Sequence, residues 1–446
     1  MNSESLFHAS PFTDVSLSRV YEAFLVLLNV STYCCVVPYV LFHQYSRIWT
    51  VFFITLLNCL YLIVKCRARL KIPIDSLFFL YVVVNSLNCI NVFVDESEGM
   101  LMVLFYTFLN VSFYLVLYNM YCYYRKITTV KNSLWFIIRG YIWLCTISIL
   151  GATILFLMIK GGFNPYSTPI ANDYYDLFKS NVEVSGATYY FPYHISVLAT
   201  SDHAQLRIPF FTDYGVICGL FHEPHVITFI TFPALFLLLY YIRKKYFKVV
   251  CFGIWLFIML LAASTTNILA FFTSLFVLMF FERKVRLPLF LFFIIVFYMI
   301  LSIGMESEEF LFLAEKLNGD NTVSSDYSKN TLIFAFSPKT LMGSNFINNN
   351  YLNTISTTGR DVGYLPFLFN ILFLIVYVIR MIKIIIFSNE FRYVGIATLY
   401  FFIHSMKTAM VTYTSPLLLL MMFMLFIVSQ SEKRTSHEKK YCITAG

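Results

Sequence analysis

Between Arg207 and His225 the chain reads RIPFFTDYGVICGLFHEPH, which gathers Arg207, Asp213, His222, Glu223 and His225 at the edge of an apolar run. Carboxylate, imidazole and guanidinium groups together can move a proton and neutralise an anion. Pro224 suits the first turn of a helix, where its missing N–H costs nothing. Glu223 and His222 then sit at the helix mouth. Two roles for Glu223 stay open. It is either a helix-start carboxylate favoured by the macrodipole or a general base whose proton affinity is raised by partial dehydration. His222 or His225 could share the second role. HEPH lacks the H-E-x-x-H spacing that puts two imidazoles on one helical face, so no metal site is expected.

Other polar residues stand out against the same oil. Arg207 and Arg360 lie at the bases of two long polar segments, where each either snorkels or grips phosphate oxygens with its planar fork. Asp361 is a ready partner for Arg360. His404 and Lys407 fall three apart on one helical face. A lysine in an apolar run is expensive and either reaches headgroups or marks a function. Asn85, Asn88 and Asn91 form a stripe suited to hydrogen bonds between helices. No D-x-D occurs, and a metal-diphosphate site of that kind is unsupported.

The elements that must position these groups are membrane helices. The chain has 446 residues, 59% of them hydrophobic and 13% charged, with a mean hydropathy of +0.73. Apolar stretches of roughly 20 residues recur, the length a bilayer-spanning helix needs. The reading is an all-α polytopic membrane protein, a single transmembrane domain over 1–446. Twelve spans are expected, near 20–42, 48–64, 73–93, 100–122, 135–159, 224–242, 249–263, 265–281, 287–304, 363–387, 393–411 and 413–430. The pair hinged on STTN (264–267) is the shortest. Placing the N-terminus in the cytoplasm puts most of the 32 Lys and Arg residues in inner connections such as KCRARLK, RKKYFK and ERKVR. That is the positive-inside bias. It accounts for the +8 formal charge without nucleic acid. Both termini are then cytoplasmic, and no cleaved signal is expected. The ten cysteines suggest neither a disulfide framework nor a zinc site. Two extracytoplasmic loops, about 160–223 and 305–362, are far longer than turns require and are expected to be functional. Polar chemistry is expected in these loops rather than at mid-membrane, His404 and Lys407 excepted.

Several features together resemble the O-antigen and capsular repeat-unit polymerases (Wzy-like) and, more loosely, the O-antigen ligases. These are the span count, the two outer loops, and an Arg followed by Gly-x-Phe-x-Glu-Pro, here Arg207 with Gly219, Phe221, Glu223 and Pro224. After them come the Ser264–Asn267 hinge and then Asn348, Asn349, Asn350, Tyr351 and Leu352, with Gly359 and Gly363. The likeness covers about 190–385. The ligases often carry a histidine where this chain has Asn348, which favours Glu223 as the base and polymerase over ligase.

The resemblance implies a GT-C-like fold in a bacterial cytoplasmic membrane and metal-independent glycosyl transfer from polyprenyl-diphosphate-linked oligosaccharides, with no cofactor. Arg207 and Arg360 would hold the diphosphate and Glu223 would act as base. His222, His225, Asn348, Asn349, Tyr351, His404 and Lys407 would bind substrate. Membrane lipid and a polysaccharide chain-length regulator are the implied partners. A ligase acting on lipid A core and a lipid-linked oligosaccharide flippase are the alternatives.

Overall fold

The structure, a computed structural model, describes residues 11–32, 47–66, 70–72, 79–80, 83, 100–162, 189–190, 193–196, 208, 210–212, 216–221, 224–282, 364–405 and 416–444. Within them the chain is mostly helical. In order come α1 (Pro11–Ser31), α2 (Arg47–Tyr61, continued by a π turn over Leu62–Cys66), α3 (Met100–Ile127) and α4 (Val130–Lys160). After a small sheet follow α5 (Pro224–Tyr241), α6 (Lys245–Ala262), α7 (Thr265–Phe281), α8 (Tyr364–Phe387), α9 (Arg392–Ser405) and α10 (Pro416–Thr444). Two of these, α4 and α6, are long and apolar enough to cross a bilayer. The expected span near 287–304 and the whole of 305–362 fall outside the described residues, as does the span near 73–93 apart from residues 79, 80 and 83.

Local signals fix the helix ends. Thr129 caps α4 by accepting from the Asn132 N–H at 3.3 Å, and Ser264 caps α7 by accepting from the Asn267 N–H at 3.4 Å. The STTN hinge is therefore a true helix start. Between α6 and α7 the chain reverses through Ala263 in the left-handed region (φ 44°), its N–H donating to the Met259 carbonyl.

The helices form two groups. In the first, α1 packs on α4 and α2 on α3. The α1–α4 approach is backbone to backbone: a Cβ on Gly140 would stand 1.8 Å from the Ala23 carbonyl oxygen. In the second group α5 packs on α9 and α6, and α7 on α9. Contacts of α4 with α5 join the groups, and α10 touches α3, α8 and α9. Both α5 and the first part of α10 are apolar on every face, which suits helices enclosed by others; residues 226–237 and 416–428 are almost wholly buried.

A three-stranded antiparallel sheet departs from the all-α expectation: β1 (Tyr189–Tyr190), β2 (Tyr193–Ser196) and β3 (Val216–Gly219) in the order β1-β2-β3. Ile195 pairs with Ile217 and Ser196 with Val216, and a register shift falls between His194 and Ile195. Strands of two to four residues are too short to write a period-two pattern into the sequence.

Candidate functional site

The start of α5 is sunk beside the middle of α4. The two helices run antiparallel, tied by Tyr241 OH donating to the Lys131 carbonyl at 3.0 Å and Tyr141 OH donating to the Ile230 carbonyl. Above these ties Leu220 N–H reaches Ser148 Oγ at 3.4 Å. From Ser148 to Lys160 α4 climbs about 18 Å at 1.5 Å per residue, whereas α5 rises only about 4.5 Å from Ile227 back to Pro224. The α5 start therefore lies roughly 13 Å short of the Lys160 end of α4.

What fills that depth is β3, which packs on α4, α5 and α6. All four of its residues are buried, as are Leu220 and Phe221. Gly219 makes the descent possible. Its φ is +64°, and a Cβ there would lie 2.6 Å from Ile227 Cδ1 and 2.8 Å from Ser148 Oγ, so both backbone conformation and space demand glycine. Beside the Lys160 end, the exposed ring of Phe210 lies 4.4 Å beneath the Lys160 ammonium. Part of the expected outer loop is thus built into the helix bundle.

One turn along α5 from its start, four helices meet in a buried polar cluster. Thr228 Oγ1 donates to the His225 carbonyl at 2.9 Å and stands 3.2 Å from His404 Nε2 of α9. With the Thr228 proton committed to the carbonyl, His404 Nε2 must carry the hydrogen of that second contact. His404 is fully buried, its ring 5.2 Å from that of Phe229 and 5.7 Å from that of Tyr400. Tyr400, one helical turn before it, points its hydroxyl at Asn267 Oδ1 (2.6 Å) and at the Thr228 carbonyl (3.1 Å), one proton serving two acceptors. Trp255 of α6 closes the group by donating to the Thr231 carbonyl at 2.9 Å. Asn267 is wholly buried, and its Nδ2 has no hydrogen-bond partner among the described residues. A buried orphan donor is uncommon and calls for an explanation.

Among the described residues this cluster carries no guanidinium or ammonium group at hydrogen-bond distance. It can hold hydroxyl groups and pass a proton through an imidazole; it cannot neutralise a diphosphate by itself.

Of the site residues expected from sequence, His225 and His404 are described. The structure brings them together at Thr228, the first through its carbonyl and the second through its ring. Arg207, His222, Glu223, Asn348, Asn349, Tyr351, Arg360 and Lys407 lie outside the described residues. Thr228 and Tyr400 were not singled out by sequence, and Asn267 stood out only as the end of the Ser264–Asn267 hinge. Helical spacing could have found two of them, since Tyr400 precedes His404 by four residues and Thr228 follows His225 by three.

The first helical group also gathers buried polar side chains between its helices. Glu22 is almost fully buried, and its two carboxyl oxygens accept from Tyr61 OH (3.1 Å) and from Tyr124 OH. Farther along α1, Asn29 and Asn58 exchange reciprocal amide hydrogen bonds at 2.8 and 2.9 Å, and Asn58 also donates to Ser112 Oγ at 3.0 Å. Single polar residues scattered through apolar helices gave no sign that α1, α2 and α3 would pool theirs.

No family model, curated protein or solved structure matches this chain.

Proposed function

We propose that the chain is a bacterial cytoplasmic-membrane glycosyltransferase that polymerises polyprenyl-diphosphate-linked repeat units into O-antigen or capsular polysaccharide. On this reading it has twelve spans, both termini are cytoplasmic, and the Lys160 end of α4 faces outward. The observation that carries the reading is the convergence at Thr228. His404, a histidine marked by its place in an apolar run, meets Thr228 one turn below the Glu-Pro helix start, beside the His225 carbonyl. The recess is a second support. Apolar side chains on α4 remain exposed as far as Met158, so a helix start about 13 Å below Lys160 would lie beneath the outer surface of the bilayer, where charges interact more strongly than in water.

In the proposed reaction Glu223 takes the proton of an acceptor-sugar hydroxyl. The hydroxyl oxygen forms the new bond to the anomeric carbon of the donor, and the carbon–oxygen bond to the diphosphate breaks with its electron pair staying on the phosphate. Arg207 and Arg360 meet the charge that develops there, as preorganised donors do in an oxyanion site. His404, Tyr400 and Asn267 form a polar floor that orients sugar hydroxyls. His222, His225, Asn348, Asn349, Tyr351 and Lys407 would line the remainder, and holding two glycans in attack geometry supplies much of the rate. A chain-length regulator would act on this site from outside the chain.

The test is purified protein in liposomes with lipid-linked repeats and no added metal, read out by chain length. Glu223→Gln and Arg207→Ala are each expected to remove long chains while the protein still inserts. Normal polymer from both variants would discard the site assignment.

A lipid-linked oligosaccharide flippase is the second reading, and the buried Glu22 with the Asn29–Asn58–Ser112 group favours it, because buried ionisable groups mark transport paths. Deleting the gene separates the two. Loss of a polymerase leaves single repeats on the outer leaflet; loss of a flippase strands them on the cytoplasmic leaflet.

A further inference from the structure

Two arginines of the first helical group remain outside the proposed reaction. Arg19 of α1 and Arg139 of α4 both lie over the Phe136 ring, their guanidinium carbons 4.6 and 5.3 Å from its centroid. Arg139 Nη2 donates to the Arg19 carbonyl at 2.5 Å, while the buried Nε atoms of both arginines have no acceptor among the described residues. The acidic group whose field reaches Arg139 is Glu22. That carboxyl group is occupied by Tyr61 and Tyr124, and it offsets at most one of the two positive charges. The pair is half-buried and carries excess positive charge.

Its place on the surface says what the donors are for. Arg139 heads a helical stripe of exposed side chains, Trp143, Ile147, Leu150 and Ile154, at successive steps of three or four residues. On α1, Arg19 comes just before exposed Val20, Tyr21 and Phe24. Both arginines thus stand where an exposed apolar face begins, the level at which the hydrocarbon of a bilayer gives way to headgroups.

We propose that Arg19 and Arg139 form a binding site for the phosphate of an anionic phospholipid, whose acyl chains lie along the Trp143–Ile154 stripe and the Val20–Phe24 face. A guanidinium fork matches a phosphodiester with two parallel hydrogen bonds, and the excess positive charge selects a headgroup with net negative charge over a zwitterionic one. The inference rests on the bilayer placement and not on glycosyl transfer. On that placement the site belongs to the cytoplasmic leaflet, opposite the recessed helix start.

The experiment is native mass spectrometry of the full chain released from detergent, titrated separately with phosphatidylglycerol, phosphatidylcholine and inorganic phosphate. One retained phosphatidylglycerol is expected, with phosphatidylcholine held about tenfold more weakly. Arg19→Gln with Arg139→Gln should weaken phosphatidylglycerol by about tenfold or more. Lys244→Gln with Lys245→Gln, on basic residues at the N-terminal end of α6, should leave it unchanged. If the double arginine variant does not fold, Arg139→Lys keeps the charge and removes the fork, and it should still weaken retention. Equal retention in the arginine variants, equal loss in the lysine variant, or displacement of the lipid by inorganic phosphate at similar concentration would each overturn the proposal.

Discussion

The two buried polar groups of this protein differ in how they end. In the first helical group amide meets amide: Asn29 and Asn58 exchange both bonds, Ser112 takes a further proton, and the oxygens of Glu22 are capped by two phenols. In the second group Thr228 links the His225 carbonyl to an imidazole, and the Asn267 Nδ2 has no hydrogen-bond partner among the described residues. A network closed on itself fixes how helices pack. A network that carries a titratable ring and a donor without a described acceptor has bonding capacity to spare. On the proposed reading, the first group is structural and the second is where a substrate hydroxyl would meet that spare donor.

The sharpest way to break the comparison is to remove the packing that holds the closed group. Gly140→Ala forces a methyl into the Ala23 carbonyl, and separating α1 from α4 is expected to cost about 3 kcal/mol or more, read as a collapse of thermal stability in detergent. A normal melting curve would mean that the two backbones do not approach as described.

Next, His404→Gln keeps a nitrogen donor for Thr228 but removes the imidazole. Polymer synthesis should fall by about tenfold, the scale of one lost hydrogen bond that positions a sugar hydroxyl, while the melting temperature changes little. Unchanged synthesis would demote the open group to glue.

Glu22→Gln tests the opposite side. The amide offers one oxygen where two phenols need acceptors, so about 1–3 kcal/mol of stability should be lost from the unpaired hydroxyl with synthesis retained. Lost activity in a stable Glu22→Gln protein would instead strengthen the flippase reading. The smallest effect is expected from Asn58→Ala, about 0.6 kcal/mol and at most near 1.7, the range measured for hydrogen bonds between membrane helices. A loss well above that would show the closed group to be more cooperative than its separate bonds.

Much of the architecture was legible because the signals were local. Pro224 opens α5 and Ser264 caps α7 where residue type alone suggests. The limits of α5 and α7 follow from a proline and a hydroxyl followed by oil. The short sheet was not legible, since β3 has four residues and depends on β2, some twenty positions earlier, for its partner. Nor was the burial of Val216–Phe221, which a loop reading placed outside the bundle. At the site, His225 and His404 stood out as ionisable groups in apolar runs. Thr228 and Tyr400 did not, because a threonine and a tyrosine are ordinary in such helices until their neighbours are known; Asn267 stood out as part of a hinge and not as a site residue.

Composition and periodicity by themselves determined that this chain is a set of apolar helices with its basic residues gathered in short connections, because backbone satisfaction in oil and the cost of charge act residue by residue. Only the tertiary structure decided which helices share an interior. The meeting of residues 228, 267, 400 and 404 is set by how α5, α7 and α9 pack; the depth at which α5 begins depends on Gly219, where a Cβ would meet Ile227 and Ser148, and the approach of α1 to α4 depends on Gly140, where a Cβ would meet the Ala23 carbonyl. Sequence separation carries no information about that closeness; excluded volume does.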